Sequence, residues 1–250
     1  MTKLFEGKIA LVTGASRGIG NASARRLAAD GAHVLVHYGS SRDEAERLVR
    51  DIKDEGGSAE AIQADLSSAA GVESLVSQVK DRLGGKPLDI LFNNAGIAEF
   101  VEFDATDAAT LDRQYAVNVR APFLLTQGLL DVLADGASVL VTSSIVAKTY
   151  FDGIPAYSIT KGAVDTLVRH LAALLGPRNI RVNAVAPGAI DTDMSAWLRS
   201  DEGAANAKSI QALQRVGKPE DIAGVAAFLA SNDAGWVTGQ VIDASGGSKL

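Results

Sequence analysis

The chain has 250 residues, 47% of them hydrophobic, and a net charge of −6, which is enough apolar material for one large α/β domain. The acidic balance and the lack of any strongly basic stretch remove the electrostatic footprint of a nucleic-acid binder. With no cysteine, and with His33, His37 and His170 scattered, neither disulfides nor a metal site is expected.

The opening M-T-K-L-F-E-G lacks an apolar signal core, and no run approaches the roughly 18 apolar residues of a membrane span. A soluble, cytoplasmic protein without a membrane partner is expected. The tripeptide Ser248-Lys249-Leu250 matches a peroxisomal address, which has meaning only in a eukaryotic cell.

In chain order, apolar runs of strand length lie at 8–13, 32–38, 59–64, 89–93, 138–142 and 181–186, with a last strand near 239–243. Helical patterns separate them at 18–30, 42–56, 68–84, 107–134, 156–176 and 219–231. Continuous β-rich runs alternating with helices predict a parallel sheet of about seven strands covered on both faces: a single-domain, doubly wound Rossmann fold. The stretch 189–217 has no clear strand character and reads as a lid over a substrate.

Directly after the first strand comes Thr13-Gly14-Ala15-Ser16-Arg17-Gly18-Ile19-Gly20, which opens the first helix. Glycines allow a tight turn and close approach of the backbone to a pyrophosphate, whose charge meets the amides at the helix start. Gly14, Ser16, Arg17, Gly18, Ile19 and Gly20 are therefore candidate cofactor contacts. At the end of the second strand, where an NAD site places a carboxylate on the ribose, this chain has Tyr38 followed by Ser40, Ser41 and Arg42. Arg17 and Arg42, with the two serines, suit a 2′-phosphate, so NADP is expected over NAD.

Tyr157 follows Ser144 by thirteen positions, and Lys161 follows Tyr157 by four. In a helix starting near Pro155, Tyr157 and Lys161 share one face. A phenol ordinarily titrates near 10; bringing it to about 7 takes roughly 4 kcal/mol, which a neighbouring lysine and a cationic ring can supply together.

Taken together, T-G-A-S-R-G-I-G, N-N-A-G at 93–96, Asn118, Ser144, Y-S-I-T-K and Pro187-Gly188 resemble the short-chain dehydrogenase/reductase family over essentially the whole chain. The resemblance implies hydride transfer between a nicotinamide and a small carbonyl or alcohol substrate. It implies Tyr157 as general acid and base, Ser144 (chosen over Ser143 by its distance from Tyr157) on the substrate oxygen, and Lys161 on the nicotinamide ribose and lowering the tyrosine pKa. Asn118 would hold a water that relays the proton. Asp65 and Leu66 would meet the adenine; Asn94, Ala95 and Gly96 the adenosine ribose; Pro187, Gly188, Ile190 and Thr192 the nicotinamide.

The opening E-G-K-I-A-L-V-T-G-A-S-R-G-I-G is similar to 3-oxoacyl-carrier-protein reductases, which dock an acidic carrier on basic residues. Here one docking region carries Asp131 and Asp135, while the other still offers Arg178, so a free small carbonyl compound is the preferred substrate class. A non-catalytic NADP-binding sensor is the reading of another class; the presence of Ser144, Tyr157 and Lys161 argues against it. Val146, Phe151, Met194 and Trp197, with Asp152 and Glu99, are candidate pocket residues. The row Leu167, Leu171, Leu174 serves either a core or a subunit seam, and the resemblance implies a homotetramer.

Overall fold

A computed structural model describes residues 3–250. Seven strands form one parallel sheet: β1 (Ile9–Val12), β2 (His33–Tyr38), β3 (Ser58–Gln63), β4 (Leu88–Asn93), β5 (Leu133–Thr142), β6 (Arg181–Pro187) and β7 (Val241–Ala244). Their spatial order is β3-β2-β1-β4-β5-β6-β7, so the chain winds outward from β1 in one direction and from β4 in the other. The carboxyl ends of β1 and β4 therefore flank the crevice where such a sheet receives a ligand.

Strand side chains alternate between two cores. Ala10 and Val12 of β1, with Val34 and Val36 of β2, point to one face; Leu11 and Leu35 point to the other. The first face is covered by α1 (Gly18–Ala29), α2 (Arg42–Asp54) and α8 (Pro219–Ala230), through residues such as Leu27, Leu48 and Ile222. The second is covered by α3 (Ala69–Leu83), α5 (Ala121–Gly128) and α6 (Pro155–Leu175), through Leu75, Leu125 and Val168.

The expected helix over 107–134 is not continuous. It divides into α4 (Ala108–Tyr115), a π-helical turn over Ala116–Arg120, and α5, after which β5 begins at Leu133. Pro122 stands at the start of α5 and has no N–H to give the carbonyl four residues back, that of Asn118. The ladder widens there instead, with Ala121 N–H reaching the carbonyl of Ala116. Leu133 pairs with Leu88 across a register irregularity, so the apolar run that looked helical ends as strand.

The core row of α6 is Val164, Val168, Ala172 and Leu175, all buried. Leu167 and Leu171 lie half-buried beside it and Leu174 is exposed, so that row belongs to a flank rather than to the core centre. The 189–217 stretch contains a kinked 3-10 segment, Asp193–Arg199, and α7 (Asp201–Ser209). Its two ends are pinned together: Asp191 N–H donates to the Gly217 carbonyl, and Gly217 N–H to that of Ala189, both at 2.9 Å. No described helix is long and apolar enough to cross a membrane.

Candidate active site

The turn after β1 packs closely against the turn after β4. A Cβ on Gly14 would sit 2.9 Å from the Ala95 backbone, and one on Gly20 would sit 2.4 Å from the Gly14 carbonyl; neither position has room for a side chain. Gly14 and Gly18 also hold positive φ, at 62° and 56°. No side chain caps α1, and no acidic residue occupies its first turn, so the amides and positive dipole end of that helix face the crevice unopposed. This cradle fits the pyrophosphate of a dinucleotide.

His37, read from the sequence only as one of three scattered histidines, proves to brace that cradle. Its Nδ1 accepts the Gly14 N–H at 3.1 Å, which places the proton on Nε2, and Nε2 donates to the Ala64 carbonyl at 3.1 Å. The ring is buried, and burial holds its pKa down to about 4 against the contrary pull of the Ala64 bond.

At the edge of β2, Tyr38 is buried while Ser40 and Arg42 are exposed, and Ser41 makes no cap bond with its side chain. Arg42 donates to Glu46 at 2.6 Å along α2, so its guanidinium is engaged on the helix surface. Arg17 lies 3.6 Å from Asp193 at the start of the 189–217 stretch, with both side chains largely exposed. The place where a Cβ of Gly18 would go lies 3.2 Å from the Thr192 side chain, bringing the cradle next to the 187–192 segment. Gly188 in turn packs on Ser245, 2.9 Å from where its Cβ would be, and Ile190 is buried.

Three of the expected site residues are held by bonds that the sequence did not reveal. The Asn94 side chain is consumed structurally: its Nδ2 donates to the Thr13 carbonyl at 3.0 Å, and its Oδ1 accepts from the Thr142 hydroxyl at 3.1 Å. Of the 94–96 group, Ala95 and Gly96 are half-buried, and Gly96 lies 3.7 Å, measured from its missing Cβ, from the Lys161 ammonium. The Asn118 side chain is also engaged. It pairs with both main-chain groups of Ile97 at 2.9 Å and donates to Thr160 at 3.1 Å, so both amide protons are used and the side chain acts as a clamp. Its main-chain carbonyl, denied an α-helical partner by Pro122, is a further acceptor for the expected water. Asp65 folds back on Ser67, accepting from its N–H at 2.9 Å and its hydroxyl at 2.8 Å, while Leu66 is buried.

The third is Tyr157. Ser144 at the end of β5 has an extended backbone, so Ser143 and Ser144 project to opposite sides. The Ser144 hydroxyl lies within reach of the Tyr157 phenol and pulls its pKa down. Ser143 instead donates to Asp165 at 2.5 Å. Lys161 is buried, donates to the Thr142 carbonyl at 2.7 Å and stands 5.4 Å from the centre of the Tyr157 ring. Burial pushes Tyr157 up to about 12 and Lys161 down to about 8, with Asp165 opposing the latter. The protein alone therefore holds a protonated phenol.

Asp165 escaped the sequence reading although it extends the Tyr157–Lys161 row by a further i+4 step. It is buried, and burial raises its pKa. A cavity of about 500 Å³ opens beside the cluster, not over it; Val146, Tyr150, Phe151, Asp152, Phe103 and Ser158 are among its walls. Of the other pocket candidates, Glu99 is held by Arg113 at 2.7 Å, and Met194 and Trp197 lie outside these walls, partly exposed.

Comparison with known proteins agrees with this geometry. The family model described as enoyl-(acyl carrier protein) reductase matches residues 14–249. An uncharacterized oxidoreductase of Methylorubrum extorquens is 45% identical over 249 residues, covering 99% of both chains, and a versicolorin reductase of Emericella nidulans is 41% identical over 98% of this chain and 96% of its own. Among solved structures, an angucycline C-6 ketoreductase with bound NADP superimposes with a TM-score of 0.95 at 39% identity, over 100% of this chain and 98% of that one. The chain belongs to the short-chain dehydrogenase/reductase family and is an oxidoreductase of that type.

The brace at Gly14 makes stability pH-dependent in a defined window. Because the folded pKa of His37 is lowered from 6.5 to about 4, the unfolded chain binds the extra proton first as pH falls. Urea unfolding of the wild type should lose roughly 3 kcal/mol between pH 6.5 and 4 relative to His37→Gln, which does not titrate there. Parallel pH profiles for the two proteins would contradict the brace.

Proposed function

We propose that this protein is an NADPH-dependent ketoreductase that reduces the carbonyl of a fused-ring aromatic or similar cyclic compound. The observation that carries the reading is the Ser144–Tyr157–Lys161 cluster, with the serine and lysine buried and the tyrosine half-buried, beside a cavity walled by Phe103, Tyr150 and Phe151. Relatives named for versicolorin, a solved angucycline C-6 ketoreductase with bound NADP, and a landomycin C-6 ketoreductase with NADP and rabelomycin bound support the substrate class.

The bound nicotinamide supplies the hydride. The chain's own groups do the rest. The glycine turn and α1 receive the pyrophosphate, the 187–192 segment borders the nicotinamide end, and Ser16 and Ile19 line the turn. Ser144 holds the carbonyl oxygen against the Tyr157 phenol, which donates its proton as the oxygen becomes alkoxide. Lys161 stabilises the phenolate left behind, and a positive charge placed in advance in a buried site costs nothing to reorganise. A phenol near 12 is fully protonated at neutral pH, the form that carbonyl reduction requires.

NADP is preferred over NAD because no carboxylate closes the β2 edge. The Arg42–Glu46 and Arg17–Asp193 pairs are exposed, and such pairs are weak enough for a 2′-phosphate to draw the guanidinium away. The carrier-protein reading is disfavoured by Arg178, which is spent on Asp135 at 2.8 Å and on the carbonyls of Leu130 and Leu133. Asp131 is itself paired with Lys80. No basic patch is left there for an acidic partner.

Tyr157→Phe should lower turnover by about 10²- to 10⁴-fold, while NADPH affinity measured by fluorescence stays within about twofold. Near-normal turnover would eliminate the phenol as the acid. In wild type, reduction rates should decline above pH 8, where Lys161 loses its proton, and stay level below it to pH 7. Arg42→Ala should weaken NADPH binding about tenfold and leave NADH unaffected; equal effects on both would remove the 2′-phosphate from its role.

A further inference from the structure

Between Ser144 and Tyr157 the chain makes the excursion that walls the cavity, and residues after β6 strap it down. Lys148 donates to Asp243 of β7 at 2.8 Å. Lys249 donates to the Tyr150 carbonyl at 2.5 Å, and its ammonium lies 4.0 Å from the centre of the Phe151 ring, within the range of a cation–π contact. The same final stretch is bound on its other side to the end of the 189–217 segment. Lys249 N–H donates to the Ile210 carbonyl at 2.8 Å, Ala212 N–H to Gly247 at 3.2 Å, and Leu213 N–H to Gly246 at 3.0 Å. Ser248 is buried and locked onto Ser245, its hydroxyl donating to the Ser245 carbonyl at 2.8 Å. Ser245 is the residue against which Gly188 packs.

One residue thus joins three parts: the cavity wall, the 189–217 segment and, through Ser245, the 187–192 turn. The contact is directional. The ammonium sits over the Phe151 ring and bonds the carbonyl of its neighbour, so it fixes the backbone of Tyr150 and Phe151. Asp243, Asp152 and Glu102 are acids of this region; Asp243 is paired with Lys148, Asp152 accepts from the Tyr150 hydroxyl at 3.0 Å, and Glu102 stands on the cavity wall beside Gly153.

We infer that Lys249 is a positioning residue for substrate choice: by clasping Tyr150 and Phe151 to the 210–213 end of the neighbouring segment, it sets the shape of the cavity and favours bulky fused-ring ketones over small ones. The inference rests on the carbonyl-reduction reading for its substrates, but the clasp itself does not. Lys249→Ala should raise KM for α-tetralone about tenfold, leave kcat within about twofold, and leave KM for cyclohexanone and the affinity for NADPH unchanged. Lys249→Arg, which keeps a cation on Phe151 and a donor for Tyr150, should retain most of the preference. An unaltered ratio of kcat/KM for the two ketones in Lys249→Ala overturns the inference. Should the wild type reduce neither ketone, the carbonyl-reduction reading falls instead, and amide hydrogen exchange decides the clasp. Faster exchange over 147–152 and 210–213 in Lys249→Ala supports it, and identical exchange rejects it.

Discussion

An ammonium taken out of water and handed to a single main-chain carbonyl is the constraint around which the crevice is built. Burying the Lys161 charge is costly unless hydrogen bonds and an opposite charge offset it. The Thr142 carbonyl supplies the first and Asp165 contributes the second. The position of that carbonyl is not left to β5 alone. The Thr142 hydroxyl bonds Asn94, Asn94 bonds the Thr13 and Gly14 carbonyls, and the Thr13 hydroxyl receives the N–H groups of Asn94 and Ala95 at 2.9 Å. Polar side chains thus lace the ends of β5, β4 and β1 into one edge, and the distance from ammonium to glycine turn is set by three paired strands.

The parts legible in the sequence are those whose chemistry is local. The glycine turn announces itself because positive φ and close backbone approach leave few residue types possible at Gly14 and Gly20. The Tyr157–Lys161 pair is visible because a helix puts i and i+4 on one face. By contrast, the brace at His37 depends on main-chain groups from two other segments, Gly14 and Ala64, and nothing near residue 37 signals them. Asn94 and Asn118 were readable as polar residues of a resembling pattern, but their hydrogen bonds close on partners 81 and 21 positions away. The interruption at 116–120 had a local signal, Pro122, that the continuous apolar pattern around it obscured. Asp165 had one as well, a third step of the same helical face.

The pKa values change how the catalytic cluster should be understood. For the lysine to bring the resting phenol close to neutrality, its charge would have to beat desolvation, which raises the phenol. Burial favours the neutral form of both groups, so it raises the phenol and lowers the amine at once. A resting phenolate is not needed for reduction. What matters is the cost of creating negative charge on the phenol while the proton leaves, and that cost is met by whatever positive charge is already fixed nearby when the transition state forms.

In this light the buried Ser143–Asp165 bond has a clear physical sense. Asp165 lies on the α6 face one turn beyond Lys161, and Ser143 satisfies its near oxygen from the strand that also supplies Thr142. Helix and strand are therefore tied at two adjacent points, one through the ammonium and one through the carboxylate. Neither group can shift without breaking a buried hydrogen bond, and a charge that cannot shift is one that needs no rearrangement to stabilise the phenolate. The serine that faces the phenol and the serine that faces the carboxylate are neighbours in the chain, and only the extended backbone at Ser144 lets them serve opposite sides.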